Sequence, residues 1–504
     1  MTTIFNSNSN SNSNSNSNSN TNSYLGKKGY TLLKSELTSK EQTFIREGLT
    51  VKPYLPKSPV QPEPFILYRE SPKKYYLPRY FGTDNFGDFK ENKVPSGDDI
   101  DLTFHGEMRE YQNNIVNKYI QFVKGSGGGL LDVDPGKGKT VMALYIIAKL
   151  KKKALVIVHK SFLLNQWIER IEQFLPNARV GKIQGQIIDI ENKDIVIGML
   201  QSLSQKNYPE NMFDCFGLSI YDETHHLGAE VFSRCMMKTM TNYTLGLSGT
   251  MQRKDGLTKV FKMFLGDIIH KEKTDTSEHK VIVKAINYKV DDEEFNEIKY
   301  DYRGNPLYST MISKLCSYNH RSEFILKVLE TELQQNPEQQ IMILAHNKSL
   351  LTYLHTAIEH RNIATVGYYI GGMKEADLKV SEIKKVIIAT YAMASEGLDI
   401  KTLTSLIMAS PKTDVCQSVG RILRTKHSSP LVIDIIDTHD IFEKQWQKRR
   451  QYYMKQKYNI ISCDNNTYLN NVWQTVYDPL KSAESIKKIK KKDDPLKGIC
   501  LIKL

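Results

Sequence analysis

Short apolar runs alternate with longer stretches of helical period from Phe104 to about His270. The runs are Leu130–Val133, Ala154–His159, Asp194–Met199, Leu218–Tyr221 and Leu245–Ser248. They are nearly unbroken by polar residues, the pattern of strands buried on both faces. Between them Met108–Lys124, Lys139–Leu150 and Leu163–Phe174 show helical spacing. Strands that alternate with helices imply a parallel sheet covered on both sides. A second series of this kind runs from Ile341 to about Ile436, with strands at Ile341–Ala345, Ile363–Tyr369, Val386–Thr390, Ser405–Met408 and Leu431–Ile435. The expected fold is α/β, with two tandem doubly wound parallel-sheet domains over 104–272 and 341–460.

The flanks read differently. Asn6 to Ser23 is almost pure alternation of Asn and Ser, which cannot bury a core, so 1–23 is expected to be disordered. Residues 24–103 form an N-terminal accessory module. It has a possible short helix over Ser35–Glu47, and prolines over 51–82 that punctuate short extended pieces, giving a small strand and loop module. Tyrosines interleaved there with Lys73, Lys74 and Arg79 either pack on the next domain, the expectation taken here, or stack on bases. Residues 273–340 break the rhythm with the acidic run Asp291–Glu294 and the loop Arg303-Gly304-Asn305-Pro306, and read as a connector with helix near 310–333. Beyond Asp440 the chain reads as helical and basic (Lys444, Lys448, Arg449, Arg450, Lys455, Lys457). Its last segment, 461–504, is a basic tail ending in Lys487–Lys492. Such a run serves equally as a solvated face or a phosphate contact.

The chain's 504 residues allow two or three domains. A formal charge of +13 favours a polyanionic partner, nucleic acid above all. The six cysteines lie singly, with no Cys-x-x-Cys pair, which points away from zinc sites and disulfide frameworks and towards an intracellular, reducing compartment. No apolar run reaches membrane-spanning length, and the N-terminus lacks the apolar core of a secretory signal.

Two stretches carry chemistry. After the run Leu130–Val133 comes the loop Asp134-Pro135-Gly136-Lys137-Gly138, and Lys139-Thr140 opens a helix. Small residues let backbone N–H groups turn inward, the helix N-terminus adds positive potential, and a lysine reaches the outer phosphates. The Thr140 hydroxyl suits Mg²⁺. Val133 stands where the general phosphate-loop pattern has glycine. In the second stretch, the strand Leu218–Tyr221 ends in Asp222-Glu223-Thr224-His225-His226. Acids at the C-terminal end of such a strand face the ligand crevice. Asp222 is suited to hold Mg²⁺, largely through water, and Glu223 to orient and deprotonate an attacking water.

With both stretches in order, the chain resembles the superfamily 2 helicases of DEAD/DEAH type, whose domains are RecA-like. Leu131–Thr140 resembles motif I, which in that superfamily often starts with a small residue where Val133 stands. Asp222–His225 resembles motif II, and Met108-Arg109-Glu110-Tyr111-Gln112 an upstream element whose glutamine reads adenine. Leu155–Trp167, with Gln166-Trp167, resembles motif Ia, and Ile197–Leu203 motif Ib. Ser248-Gly249-Thr250, then Arg253 and Asp255, resembles motif III, with Gly249 in place of the usual alanine. Ile341–Asn347 resembles motif IV, Ala389–Ile400 motif V, and Gln417-Ser418-Val419-Gly420-Arg421-Ile422-Leu423-Arg424 motif VI.

The resemblance covers roughly 104–436. It implies an ATP hydrolase using ATP and Mg²⁺. Lys139, Asp222, Glu223, Arg421 and Arg424 would be catalytic, with Gln112 and 134–140 holding nucleotide. His225, Ser248, Thr250, Gly397, Asp399 and Gln417 would couple hydrolysis to movement. The stretches Tyr68-Arg69-Glu70, Leu77–Gly82 and Phe104–Gln112 are similar to DNA-directed members, among them the transcript-release helicases of large DNA viruses and the xeroderma pigmentosum B type, and the Gln-x-x-Gly-Arg-x-x-Arg form of motif VI agrees with that branch. That implies DNA rather than RNA as partner, a link to transcription or repair machinery and a monomer, and allows a virus-encoded protein packaged in the particle. An RNA helicase, or a clamp that hydrolyses ATP without unwinding, is the alternative.

Overall fold

A computed structural model of the chain describes residues 22–53, 61, 63–134, 136–223, 229–249, 258–272, 281–395, 400–423 and 430–481. The Asn/Ser tract to residue 21 and the Lys487–Lys492 run lie outside these. Two compact units divide the chain, the first reaching Glu272 (the loop 134–138 aside) and the second starting at Lys273.

The first unit is built on an eight-stranded sheet. In spatial order the strands are Ile187–Ile188, Val180–Gln184, Ile195–Met199, Ala154–Val158, Leu218–Tyr221, Tyr243–Ser248, Gly128–Val133 and Ile268–Glu272. All neighbours are parallel except the hairpin that joins the first two. The five central strands are buried almost throughout, because helices cover both faces and the sequence offers Val, Ile and Leu to each. Three helices match the expected ones closely: Glu110–Ser126, Lys139–Leu150 and Ser161–Phe174.

Two strands escape the apolar pattern. Val180–Gln184 alternates buried and half-buried positions near the sheet edge, and Ile268–Glu272 is half polar on the other edge. An edge strand needs one apolar face at most, so its signal is weak.

The N-terminal module is a five-stranded sheet in the order Arg69–Glu70, Lys74–Leu77, Gly29–Leu33, Tyr24–Gly26 and Glu91–Asn92. Its helix Ser39–Gly48 begins at Thr38, whose hydroxyl and Glu41 form a capping box. Tyr68, Tyr75 and Arg79 of this module pack inward, while Lys73 stays exposed. Tyr75 is fully buried, and Arg79 donates from Nη1 to the Asn242 carbonyl at 2.9 Å. The guanidinium lies over Gly127, the left-handed residue (φ +79°) that ends helix Glu110–Ser126. A Cβ at Gly127 would come within 2.0 Å of Arg79 Nη2, so the close approach requires glycine.

The second unit holds another eight-stranded sheet, ordered Val366–Tyr369, Val386–Thr390, Gln340–Ala345, Leu403–Met408, Leu431–Asp437, Ile282–Tyr288, Asn459–Asp464 and Gln474–Tyr477. Only the last pairing is antiparallel. The sheet therefore extends beyond the 341–460 expected for this domain. Ile282–Tyr288, from the stretch read as a connector, fills an interior place, and helix Asn319–Gln335 belongs to the same core. Its polar residues disguised it. Lys284 pairs with the buried Glu332 at 2.7 Å, and Asn287 donates to Asp464 Oδ1 at 3.1 Å.

The helix expected past Asp440 is present as Asp440–Lys455 and is followed by two strands rather than by tail alone. Within that helix Arg449 is no phosphate contact. It is buried and holds Asp434 through Nε and Nη2 at 2.7 and 2.9 Å, with Tyr453 donating to the same carboxylate. Lys444, Lys448, Lys455 and Lys457 remain exposed.

Candidate nucleotide site

Three neighbouring strands of the first sheet end together. Ser248 pairs with Asp132 and Tyr221 with Gly246, so Val133, Ser248 and Tyr221 finish at the same edge. The crevice outside such C-terminal ends is where open α/β sheets take ligands. After Val133 the chain turns through Asp134–Gly138, with Gly136 and Gly138 both left-handed (φ +84° and +81°). A side chain at either would be strained, and the turn delivers Lys139 and Thr140 at the first turn of their helix.

Lys139 bends back over its own loop. Its ammonium donates to the Val133 carbonyl at 3.2 Å and lies 3.5 Å from Glu223 Oε1. The lysine thus spans from the phosphate-loop strand across the end of Tyr243–Ser248 to the acids that follow Leu218–Tyr221. Adjacent strands are about 4.8 Å apart, so residues two strands away need a long side chain to meet.

The acids are held firmly. Asp222 is buried, with its backbone N–H on the Ile157 carbonyl at 3.1 Å. Its Oδ1 accepts the Glu223 N–H at 2.9 Å, and its Oδ2 accepts the indole N–H of Trp167 at 2.8 Å. Glu223 itself is left-handed at φ +49°, a conformation that costs a non-glycine residue about 1–2 kcal/mol. Burial first, and then the Glu223 carboxylate, push the Asp222 carboxyl up to about 6.

Hard oxygen donors on Asp222 and Thr140, a lysine, and backbone N–H groups at a helix start are the donor set that a Mg²⁺–polyphosphate takes. Among the described residues no cluster of three or more His, Cys, Asp or Glu could hold a metal alone.

The remaining expected residues fall in several places. Gln112 is buried, and its side-chain oxygen accepts the Arg109 backbone N–H at 3.0 Å, capping helix Glu110–Ser126. Ser248 is fully buried at the strand end. In the second unit Arg421 is buried on helix Cys416–Ile422, where its Nε donates to the Ala394 carbonyl at 2.8 Å, and Gln417 lies on the same helix. The motif VI helix is thereby tied to the segment after strand Val386–Thr390. Pro135, His225, Thr250, Arg253, Asp255, Gly397, Asp399 and Arg424 lie outside the described residues. Trp167 stands in the sequence only as part of the motif Ia resemblance; its bond to Asp222 carries no signature in sequence.

The chain is similar to several known proteins. Residues 105–253 match the family model described as "Type III restriction enzyme, res subunit". Over 475 residues the chain is 36% identical to a mimivirus (Acanthamoeba polyphaga mimivirus) protein provisionally named an ATP-dependent RNA helicase, covering 92% of this chain and 90% of the relative. A protein of African swine fever virus with the same provisional name is 28% identical over 380 residues, 70% of this chain and 74% of the relative. Among solved structures, a single-substitution variant of S. cerevisiae Dbp5 bound to RNA and ADP BeF3 aligns with a TM-score of 0.50 at 12% identity, over 75% of this chain and 93% of that one, a likeness of fold.

Proposed function

We propose, from the premise that this chain belongs to the superfamily 2 helicases represented in large DNA viruses, that it is an ATP-driven motor acting on DNA. By family it is an ATP hydrolase of helicase type. The observation that carries the reading is the junction at the strand ends, where Lys139 of the phosphate loop meets Glu223, beside a buried Asp222.

The roles follow from that junction. Backbone N–H groups of 136–140 would cradle the phosphates, with Lys139 neutralising them. Thr140 and Asp222 would hold Mg²⁺, which supplies charge neutralisation on the phosphate oxygens. Glu223 would orient water for attack on the γ-phosphorus and accept its proton. Arg421 and Arg424 of the second unit would stabilise charge on the transferred group. Ser248, Thr250, His225, Gly397, Asp399 and Gln417 would pass the change in nucleotide state to the nucleic-acid contacts, which are expected to be mainly to phosphates because a motor tolerates any sequence.

DNA is favoured by the form of motif VI; the net charge of +13 serves any nucleic acid. The names of the mimivirus and African swine fever virus relatives favour RNA as the second reading. The viral relatives also support a virus-encoded protein; work in transcription or repair and packaging in the particle are inferred from the resemblance to the transcript-release and repair helicases alone. No helix among the described residues is long and apolar enough to cross a membrane.

ATPase and strand-displacement assays across single-stranded, duplex and forked DNA and RNA test the reading. Stimulation by RNA alone would overturn the DNA assignment. Lys139→Ala is expected to abolish hydrolysis. Glu223→Gln is expected to keep nucleotide binding and lose turnover by about two orders of magnitude or more, and undiminished turnover would remove Glu223 from the role of base.

A further inference from the structure

One buried contact of the site has no part in the chemistry above. Trp167 is 1% exposed and among the largest fully buried side chains of the described residues. It sits on helix Ser161–Phe174, 55 residues before Asp222, and points its indole N–H at that carboxylate. A buried indole needs an acceptor, but a backbone carbonyl would serve, and phenylalanine would fill an apolar space with no such need. Here the acceptor is a charged group at 2.8 Å, which makes the bond roughly twice as strong as a neutral one.

The geometry has a further effect. Rotation of a carboxylate about its last bond is soft and broad. Asp222 has one oxygen on the following backbone N–H and the other on the indole, so donors from two separate parts of the fold fix its plane. Partners of this kind behind a metal-binding carboxylate set the direction of its remaining lone pairs.

We propose that Trp167 is a positioning residue of the nucleotide site, whose indole N–H locks the plane of the Asp222 carboxylate so that its lone pairs meet the divalent cation of a bound nucleotide. This rests on reading the site as one for Mg²⁺ and ATP.

The test is Trp167→Phe in the full chain, which keeps an aromatic ring and deletes the donor. Binding of a fluorescent ATP analogue is titrated with Mg²⁺ by anisotropy, a readout independent of turnover. Metal-free binding should stay near that of the parent, while the Mg²⁺ needed for half-maximal binding rises about ten- to a hundred-fold. In turnover, the loss should appear in kcat at limiting Mg²⁺ and shrink as Mg²⁺ is raised, with KM for ATP little changed.

A folded Trp167→Phe protein with unaltered Mg²⁺ dependence would overturn the proposal. Should that variant fail to fold, the chain carrying Trp446→Phe and Trp473→Phe leaves Trp167 as its one indole, since the sequence has three tryptophans. Its emission should respond when Mg²⁺ is added to the ADP-loaded protein, and an unmoved spectrum also refutes the role. Lys139→Ala separates the two layers. If it binds Mg²⁺–ATP normally, the reading of the site itself fails. If it loses binding while Trp167→Phe behaves as parent, only the role of Trp167 fails.

Discussion

Replacing Asp222 with asparagine should stabilise the nucleotide-free protein while destroying its activity. Burial, and then repulsion from Glu223, raise the Asp222 carboxyl from the ordinary 3.8 to about 6. At about 1.4 kcal/mol for each tenfold change in proton affinity, keeping this group charged at neutral pH costs the fold about 3 kcal/mol relative to the unfolded chain. Between about pH 4 and pH 6 the folded chain holds a proton that the unfolded chain has released. Stability from this group therefore rises as pH falls through 6, and its full cost is present at neutral pH.

Asparagine removes the charge and keeps an oxygen for the Trp167 N–H. Its amide turns an NH₂ towards the Glu223 N–H, losing that bond at a cost of about 1–2 kcal/mol. The net expectation is a gain of about 1–2 kcal/mol at neutral pH, turning to a small loss near pH 4. Urea unfolding of the full chain, with the first unit's transition followed separately, measures it. An Asp222→Asn protein no more stable than its parent at neutral pH, or one whose gain is equal at both pH values, would refute the argument.

Three further outcomes follow from the packing. Arg449→Met strands the buried Asp434 with only the Tyr453 hydroxyl among its side-chain partners in the described residues, and should destabilise the second unit by about 3–5 kcal/mol in denaturant titration. Gly127→Ala faces both a left-handed backbone and the Arg79 guanidinium, and should cost at least about 1–2 kcal/mol in the melting of the first unit. Asp437→Asn should cost a similar several kcal/mol, because Arg321, fully buried, holds that carboxylate through Nε and Nη2 at 2.6 and 2.9 Å; a shift below about 1 kcal/mol would show the charge to be relieved elsewhere.

The central strands and the nucleotide loop were legible because each carries its own local signal. Leu130–Val133 and Ala154–Val158 lie between two helical layers, so every position is apolar, and no other arrangement of such runs buries both faces. Gly136 and Gly138 mark a turn that only glycine adopts at ease, and Lys139-Thr140 at a helix start states its own chemistry. Elements at the margins gave weaker signals. Val180–Gln184 lies one place in from the sheet edge and Ile268–Glu272 forms the other edge, and Ile282–Tyr288 hides its place in the second sheet behind Lys284 and Asn287, whose partners lie 48 and 177 residues away.

Sequence alone thus determined the two sheets, the positions of their main strands along the chain and the residue types of the site, since these follow from periodicity and from chemistry confined to a few neighbouring residues. Tertiary structure decided which side chains meet. It set Lys139 against Glu223 across an intervening strand, turned the Trp167 indole onto Asp222 and drew Arg449 from an apparently basic helix into an interior ion pair. Such contacts depend on strand order and helix rotation, so no pattern within either partner segment announces them. The same enclosure raises the proton affinity of Asp222, an effect of burial that the two letters Asp-Glu in a sequence cannot carry.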